Sequence, residues 1–193
     1  NFDPLANTDD STCCGESMPL PPFGTQIGQD IDGLGSSGFA ISSSSDGNIV
    51  VVGSPHEDVT GPDAGLAKIY AFDSALNDWS QIGQTLYGVS QGNQYGRAVS
   101  ISGDGQTVVI AAPYKDQTGE VKIYNFDGTT WSQLGSDIDG EAAGDYSGQS
   151  VSISNDGNTV AIGAPSNDGN GNNEGHVRIY NYNGTSWTQI GQD

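Results

Sequence analysis

The chain has 193 residues, and 24 acidic side chains against 5 Lys and Arg give it a formal net charge of −19. A nucleic-acid surface needs clustered cations that so few cannot supply, so nucleic acid is excluded as a partner. No apolar run approaches the roughly 18 to 20 residues that span a bilayer, and no basic segment followed by an apolar stretch opens the chain, so no membrane span is expected.

Hydrophobic residues make up 34% of the chain and there are 29 Gly, a balance that by itself leans toward disorder. The apolar residues nevertheless fall in short alternating runs, which a disordered tail has no reason to show, and the chain reads as folded and rich in turns.

Residues 1–23 stand apart as an N-terminal leader, docking arm or linker. Cys13 and Cys14 are adjacent and are the only cysteines. Zinc needs ligands at wider fixed spacings, which leaves a vicinal disulfide, an intermolecular bridge or two thiols. Asn1 through Cys13, with Asn1, Pro4, Ala6, Asp9, Asp10, Ser11 and Cys13, resembles a short module found in tandem on large secreted surface proteins. That resemblance implies a longer precursor. Gly33-Leu34-Gly35-Ser36-Ser37-Gly38 matches a dinucleotide pattern by letter only, because no helix is expected after it to meet a pyrophosphate.

From residue 24 onward the sequence repeats. Gln-Ile/Leu-Gly recurs at positions 26, 81, 133 and 189, spacings of 55, 52 and 56 residues. The repeats are taken as 24–80, 81–132 and 133–188, with 189–193 opening a fourth or supplying a closing strand. Each repeat starts with an alternating segment: Phe39 to Ser42, Ala98 to Ser102 or Ser150 to Ser154. A pair at Asp46-Gly47, Asp104-Gly105 or Asp156-Gly157 follows, which signals a hairpin through a tight primed turn. A more continuously apolar strand comes next (Ile49 to Val52, Val108 to Ala112, Val160 to Gly163) and stops at Pro55, Pro113 or Pro165, which cannot donate to a ladder. A third strand ends in Lys68-Ile69-Tyr70, Lys122-Ile123-Tyr124 or Arg178-Ile179-Tyr180, and a fourth begins at Trp79, Trp131 or Trp187.

Four antiparallel strands per repeat of this length predict an all-β fold of tandem β-propeller-type blades, open unless further blades or neighbouring copies complete it. Since a blade cannot bury both faces alone, Trp79, Trp131 and Trp187, with Tyr70, Tyr124 and Tyr180, are expected to pack blade against blade. Lys68, Lys122 and Arg178 are expected to form a solvated strand face that discourages edge pairing.

The loop after the second strand is where metal ligands could gather. Asp168, Asn170, Asn172 and Glu174 place oxygens at alternate positions, as calcium requires. Asp58, Asp116 and Asp168 each fall three residues after the strand-ending Pro, so a shared Asp either caps a turn or binds metal, with Asp63 contributing in its own loop. No cofactor is required by this reading, and Ca²⁺ is the candidate ion. Asn183-Gly184-Thr185 is a candidate glycosylation acceptor and equally an ordinary turn.

Gly144 to Ser154, Asn158 to Pro165 and Gly175 to Tyr180 resemble FG-GAP-type repeats, similar to the blades of integrin α-subunit propellers. The resemblance extends over residues 24–193. It implies an extracellular or cell-surface propeller used in adhesion, often with calcium in blade loops. The family's calcium hairpin, an Asp-x-Asp/Asn-x-Asp-Gly-x-x-Asp type loop, is shortened here to Ser-Asp-Gly-Asn, Gly-Asp-Gly-Gln and Asn-Asp-Gly-Asn turns, a departure from the pattern.

For catalysis, His56 and His176 occupy non-equivalent positions and no nucleophile elbow or metalloprotease helix is present. Most carboxylates recur as turn residues. The expected function is a non-enzymatic, extracellular structural or adhesive propeller protein whose partners are further blades or further copies of itself, with surface glycans or proteins as ligands. Three blades do not close a propeller. The alternative is therefore a fibre subunit assembled by strand completion between copies. A polysaccharide-processing propeller enzyme, with a carboxylate pair, ranks third.

Overall fold

The computed structural model describes residues 26–33, 36–169, 171 and 173–192. The candidate disulfide at Cys13 and Cys14, the leader 1–23 and the candidate ligands Asn170 and Asn172 lie outside those residues.

The described chain is all-β, apart from a three-residue 3₁₀ turn at Lys115–Gln117. The first sheet holds β1 (Ala40–Ser43), β2 (Ile49–Ser54), β3 (Leu66–Asp73), β4 (Asp78–Gln81) and β5 (Leu86–Tyr87). The second holds β6 (Ala98–Ile101), β7 (Thr107–Ala112), β8 (Glu120–Phe126), β9 (Trp131–Gln133) and β10 (Ile138–Asp139). The third holds β11 (Ser150–Ile153), β12 (Thr159–Ala164), β13 (His176–Tyr182) and β14 (Trp187–Ile190). Every ladder within these sheets is antiparallel, and the order along each is first, second, third, then outer strand. Strands β1, β6 and β11 lie side by side, so the three sheets fan outward from their first strands as blades do.

Two departures from the sequence reading have local causes. The fourth strand is broken: β5 and β10 pair with the beginning of β3 and β8, while β4 and β9 pair with their ends. Gly83 and Gly135, at φ +67° and +78°, turn the chain between the two pieces. Residues 86–87 and 138–139 thus belong to the sheet before them, and Ile190 ends the third sheet, so blade borders do not follow the Gln-Ile-Gly phrase.

The hairpin at each Asp-Gly is present, but its turn is not the two-residue primed type. In the first blade Ser44 and Ile49 close a four-residue loop, in which Gly47 N donates to Ser44 O and only Gly47 is left-handed, at φ +73°. A side-chain bracket makes the longer loop stable. Ser44 Oγ donates to Asp46 Oδ1 at 2.6 Å and accepts from Ile49 N at 3.0 Å, while Asp46 Oδ1 also accepts from Asn48 N. Ser102 with Asp104 and Ser154 with Asp156 repeat it bond for bond.

Alternation along the strands gives each blade two apolar faces, and two cores form where faces meet. The first joins Val51, Ala67, Ile69 and Leu86 of blade 1 to Val99, Ile101, Val108, Ile110 and Trp131 of blade 2. The second joins Val109, Val121, Ile123 and Ile138 of blade 2 to Val160, Ile162 and Tyr180 of blade 3. Each fully buried aliphatic side chain contributes about 1.5 to 3 kcal/mol to holding blade on blade.

Candidate functional site

Three places concentrate chemistry-bearing side chains: the joints between blades, the loops after each second strand, and the two end faces.

At the joints, each Trp reaches back to the preceding Gln-Ile/Leu-Gly corner. The Nε1 of Trp79, Trp131 and Trp187 donates to the carbonyl of Ile27, Ile82 and Leu134 at 3.2, 3.1 and 2.8 Å. The corner residue must be Gly, since a Cβ on Gly28, Gly83 or Gly135 would stand 2.5 to 2.9 Å from the indole Cδ1. On its own blade each indole lies against Phe72, Phe126 or Tyr182, with ring centroids 4.8 to 5.3 Å apart. Tyr124 accepts a hydrogen bond from the buried Tyr95 hydroxyl at 3.0 Å, Tyr180 is buried in the second core, and Tyr70 is half-buried.

The solvated cation face is not what the structure shows for two of its three members. The side chains of Lys122 and Arg178 are only 18% and 10% exposed, because each finds anions at the edge of a joint. Lys122 pairs with Glu120 at 3.3 Å and Asp137 at 3.5 Å, and Arg178 with Glu141 in the segment that follows blade 2. Burial pulls Lys122 toward its neutral form, but Glu120 and Asp137 more than offset this and its pKa is raised. A simple ion pair would lower the Glu120 carboxyl. It is raised instead, because burial at 8% side-chain exposure outweighs the Lys122 charge and the neighbouring Asp137 carboxyl adds to the rise.

The loops divide two against one. Asp58 Oδ1 accepts from Asp63 N at 2.8 Å, and Asp168 Oδ1 accepts from Asn173 N at 2.6 Å. The bonds Gly61 N to Asp58 O and Gly65 N to Glu57 O have counterparts in Gly171 N to Asp168 O and Gly175 N to Asn167 O. Asp58 and Asp168 are therefore turn caps. Asp116, the third of the sequence set, is not equivalent: in the shorter middle loop it is left-handed at φ +52° and faces Lys115 Nζ at 2.5 Å. Asp63 bonds His56 Nδ1 at 2.8 Å, and Glu174 lies over Gly171. Among the described residues no three His, Cys, Asp or Glu side chains converge as a metal site. Asn183 Oδ1 caps Thr185 N and Ser186 N while its Nδ2 reaches Ser186 Oγ, so this side chain holds its own turn.

Open ends were expected, but which side chains they expose is not legible in the sequence, since exposure there depends on which neighbour is present. Blade 3 presents Val177, Ile179 and Ile190 to solvent, and blade 1 presents Ile41. The outer edge of β13 at His176–Val177 has no ladder partner among the described residues, whereas Leu66–Ala67 and Glu120–Val121 pair with β5 and β10.

A family model described as an FG-GAP repeat matches residues 137–180, from β10 into β13. No curated protein matches the chain. Among solved structures it is similar to the β-propeller domain of Myceliophteria thermophila Cps50 (Swd1), at 12% identity over 86% of this chain and 40% of that one, with a TM-score of 0.52. It is also similar to Saccharomyces cerevisiae Sqt1, at 22% identity over 79% of this chain and 34% of that one, with a TM-score of 0.50. At these identities the likeness shows the propeller fold alone, and the chain spans well under half the length of either.

Proposed function

We propose that this chain, whose third repeat is of FG-GAP type and whose sheets are propeller blades, is a non-enzymatic extracellular protein with a structural or adhesive role. The observation that carries this reading is where its ionisable side chains are engaged. Asp46, Asp104 and Asp156 bracket hairpins, Asp58 and Asp168 cap loops, and Lys122 and Arg178 tie strands at blade joints. These groups hold shape, and the acidic surface that remains favours solubility and contact with cationic surfaces. No helix among the described residues is long and apolar enough to cross a membrane.

Antibody labelling of intact source cells, before and after protease shaving, tests the location, and adhesion of chain-coated beads to the same cells tests the role. Surface label removed by shaving, with beads retained above an albumin control, is the expected result. Label seen only after permeabilisation, or turnover of a polysaccharide by the purified chain, would overturn the reading.

Calcium enters as an optional occupant of loop 168–174 and is not required, because Asp168 closes that loop through Asn173 N. Thermal melts in EDTA and in calcium check this, with a fold intact in EDTA expected.

A further inference from the structure

Of the five cations in the chain, Lys115, Lys122 and Arg178 meet carboxylates. Arg97 is held differently. Its guanidinium lies over the ring of Phe39 at 4.7 Å and over that of Tyr114 at 5.4 Å, with no carboxylate partner among the described residues. Nη1 donates to Gln94 Oε1 at 3.3 Å, Nε is buried with no acceptor, and Nη2 has no partner among the described residues and reaches solvent. A guanidinium clamped by rings instead of carboxylates keeps its charge and most of its donors for another acceptor.

The fold sets this cation in a row of aromatic side chains. Ala40 pairs with Gly53 and Ala98 with Ala111, so Phe39 and Arg97 take the same position in successive blades, each just before an inner strand. His56 and Tyr114 likewise follow the strand-ending Pro55 and Pro113. Because β1 and β6 lie side by side, these four residues gather at one end of the first joint. His56 stands edge-on to Phe39 at 6.0 Å, and Tyr146, in the segment leading to β11, tilts against Tyr114 at 5.3 Å. Phe39 is 49% exposed, and His56, Tyr114 and Tyr146 are half-buried. The row is therefore partly open apolar ring surface with one carboxylate-free cation set in it.

We propose that this row is a subsite for one acidic sugar residue, a pyranose carrying a carboxylate, with the carboxylate on the Arg97 guanidinium and the sugar ring against the exposed aromatic surface. The polarised C–H face of a pyranose suits the negative face of an aromatic ring, and Arg receives a carboxylate through charge-assisted N–H donors. A bare anion or an acidic peptide side chain would leave the rings unused. A polyanion would meet one cation in a surface of net charge −19, with the carboxylates of Asp63 and Asp116 already engaged by His56 and Lys115 nearby in sequence. A single carboxylate on an otherwise neutral sugar uses both features and avoids that repulsion. This inference rests on the adhesive reading and gives it a ligand.

The test is an amide-shift NMR titration of the purified chain with methyl glucuronide. Methyl glucoside is the neutral match, and acetate and a Gly-Asp-Gly peptide are carboxylates without a sugar ring. Methyl glucuronide should bind with a Kd on the order of 1 mM, shifting the amides of Phe39, Arg97 and Tyr114, and the glucoside about 10-fold more weakly. Added salt should weaken the glucuronide alone. Arg97→Gln, checked for folding by circular dichroism melts, should erase the difference between the two sugars, whereas Phe39→Ala, at an exposed ring, should weaken both alike. If Arg97→Gln does not fold, Phe39→Ala and the wild-type shifts still decide. Equal binding of the two sugars, glucuronide binding that leaves those amides unmoved, or a preference that survives Arg97→Gln would overturn the proposal. Acetate or the peptide binding as tightly as the glucuronide would overturn it too, by making the row a general carboxylate site. Beads coated with Arg97→Gln that adhere to cells as well as wild type would overturn the subsite as the adhesive contact and leave the adhesive reading standing. Glucuronide binding without bead retention would support the subsite and overturn the adhesive reading.

Discussion

The indole Nε1 of Trp131 donates to the carbonyl of Ile82 at 3.1 Å, across the joint between blades 1 and 2. Trp131 is 3% exposed, stacks on Phe126 at 4.8 Å and belongs to the first core, whereas Trp79 and Trp187 are half-buried. Trp131→Phe keeps most of the packing and loses the hydrogen bond, which should cost about 1 kcal/mol. Trp131→Ala should cost about 3 to 5 kcal/mol, and Trp79→Ala clearly less. Gly83→Ala should exceed 1 kcal/mol, since the site has φ +67° and its new methyl would meet Trp131 Cδ1. Urea unfolding of the four variants orders them, and a Trp79 variant as damaging as Trp131→Ala would refute the ranking.

The Ser–Asp bracket makes a second prediction. Ser102 is fully buried, donating to Asp104 at 2.6 Å and accepting from Thr107 N at 2.9 Å. Ser102→Ala leaves the Thr107 N–H buried without its side-chain acceptor and should cost about 1 to 3 kcal/mol. Ser154→Ala, at a more exposed bracket, should cost less, because water can replace the hydroxyl. Denaturant midpoints of the two variants compare them directly.

Much of this fold is legible in the residues. Asp-Gly pairs, strand-ending prolines and the Trp positions punctuate four strands per repeat, and the sheets follow that punctuation. The bracket was also readable, as Ser-x-Asp-Gly at 44–47, 102–105 and 154–157, but the Gly alone suggested a tighter turn than the Ser hydroxyl allows. The split outer strand was not readable, because a left-handed Gly83 inside Gln-Ile-Gly looks like any strand glycine. Nor was the fate of the cations: Arg178 meets Glu141 only after two blades are assembled, and a partner so distant in sequence leaves no local signal. Asp116 misled for the opposite reason. Its position after Pro113 matches Asp58 and Asp168, but a shorter loop gives it another backbone conformation.

Those loops yield a third prediction. Asp168→Ala removes the acceptor for Asn173 N and should cost about 0.5 to 1.5 kcal/mol. Asp116→Asn keeps a side chain that tolerates the left-handed φ of +52° and loses only an exposed charge contact with Lys115, so it should change stability by less than about 0.5 kcal/mol. Equal effects at the two sites, measured by urea unfolding, would mean that the aspartates share one role after all.

Stability against pH carries two opposing signatures. Asp46 and Asp156 are held below the ordinary carboxyl value of 3.8, first by the hydroxyls of Ser44 and Ser154 and then by the backbone N–H groups of Asn48 and Asn158. Asp127 is lowered by Thr130 N and Thr129 N. Their contribution is fully present above that ordinary value and is lost as pH falls through the lowered one, within limits set by solvent screening at exposed sites. Glu120 behaves in the reverse sense. From its ordinary value of 4.5 up to its raised folded one, the native chain keeps a proton that the unfolded chain has released. Stability from this group therefore falls as pH rises through that window. Glu120→Gln fixes the neutral form and should flatten the decline on the neutral side while leaving the acid limb unchanged. Melting temperatures from pH 2 to 8 for both proteins decide it: an unchanged neutral limb would mean that Glu120 is charged in the fold and that its pairing with Lys122 outweighs its burial.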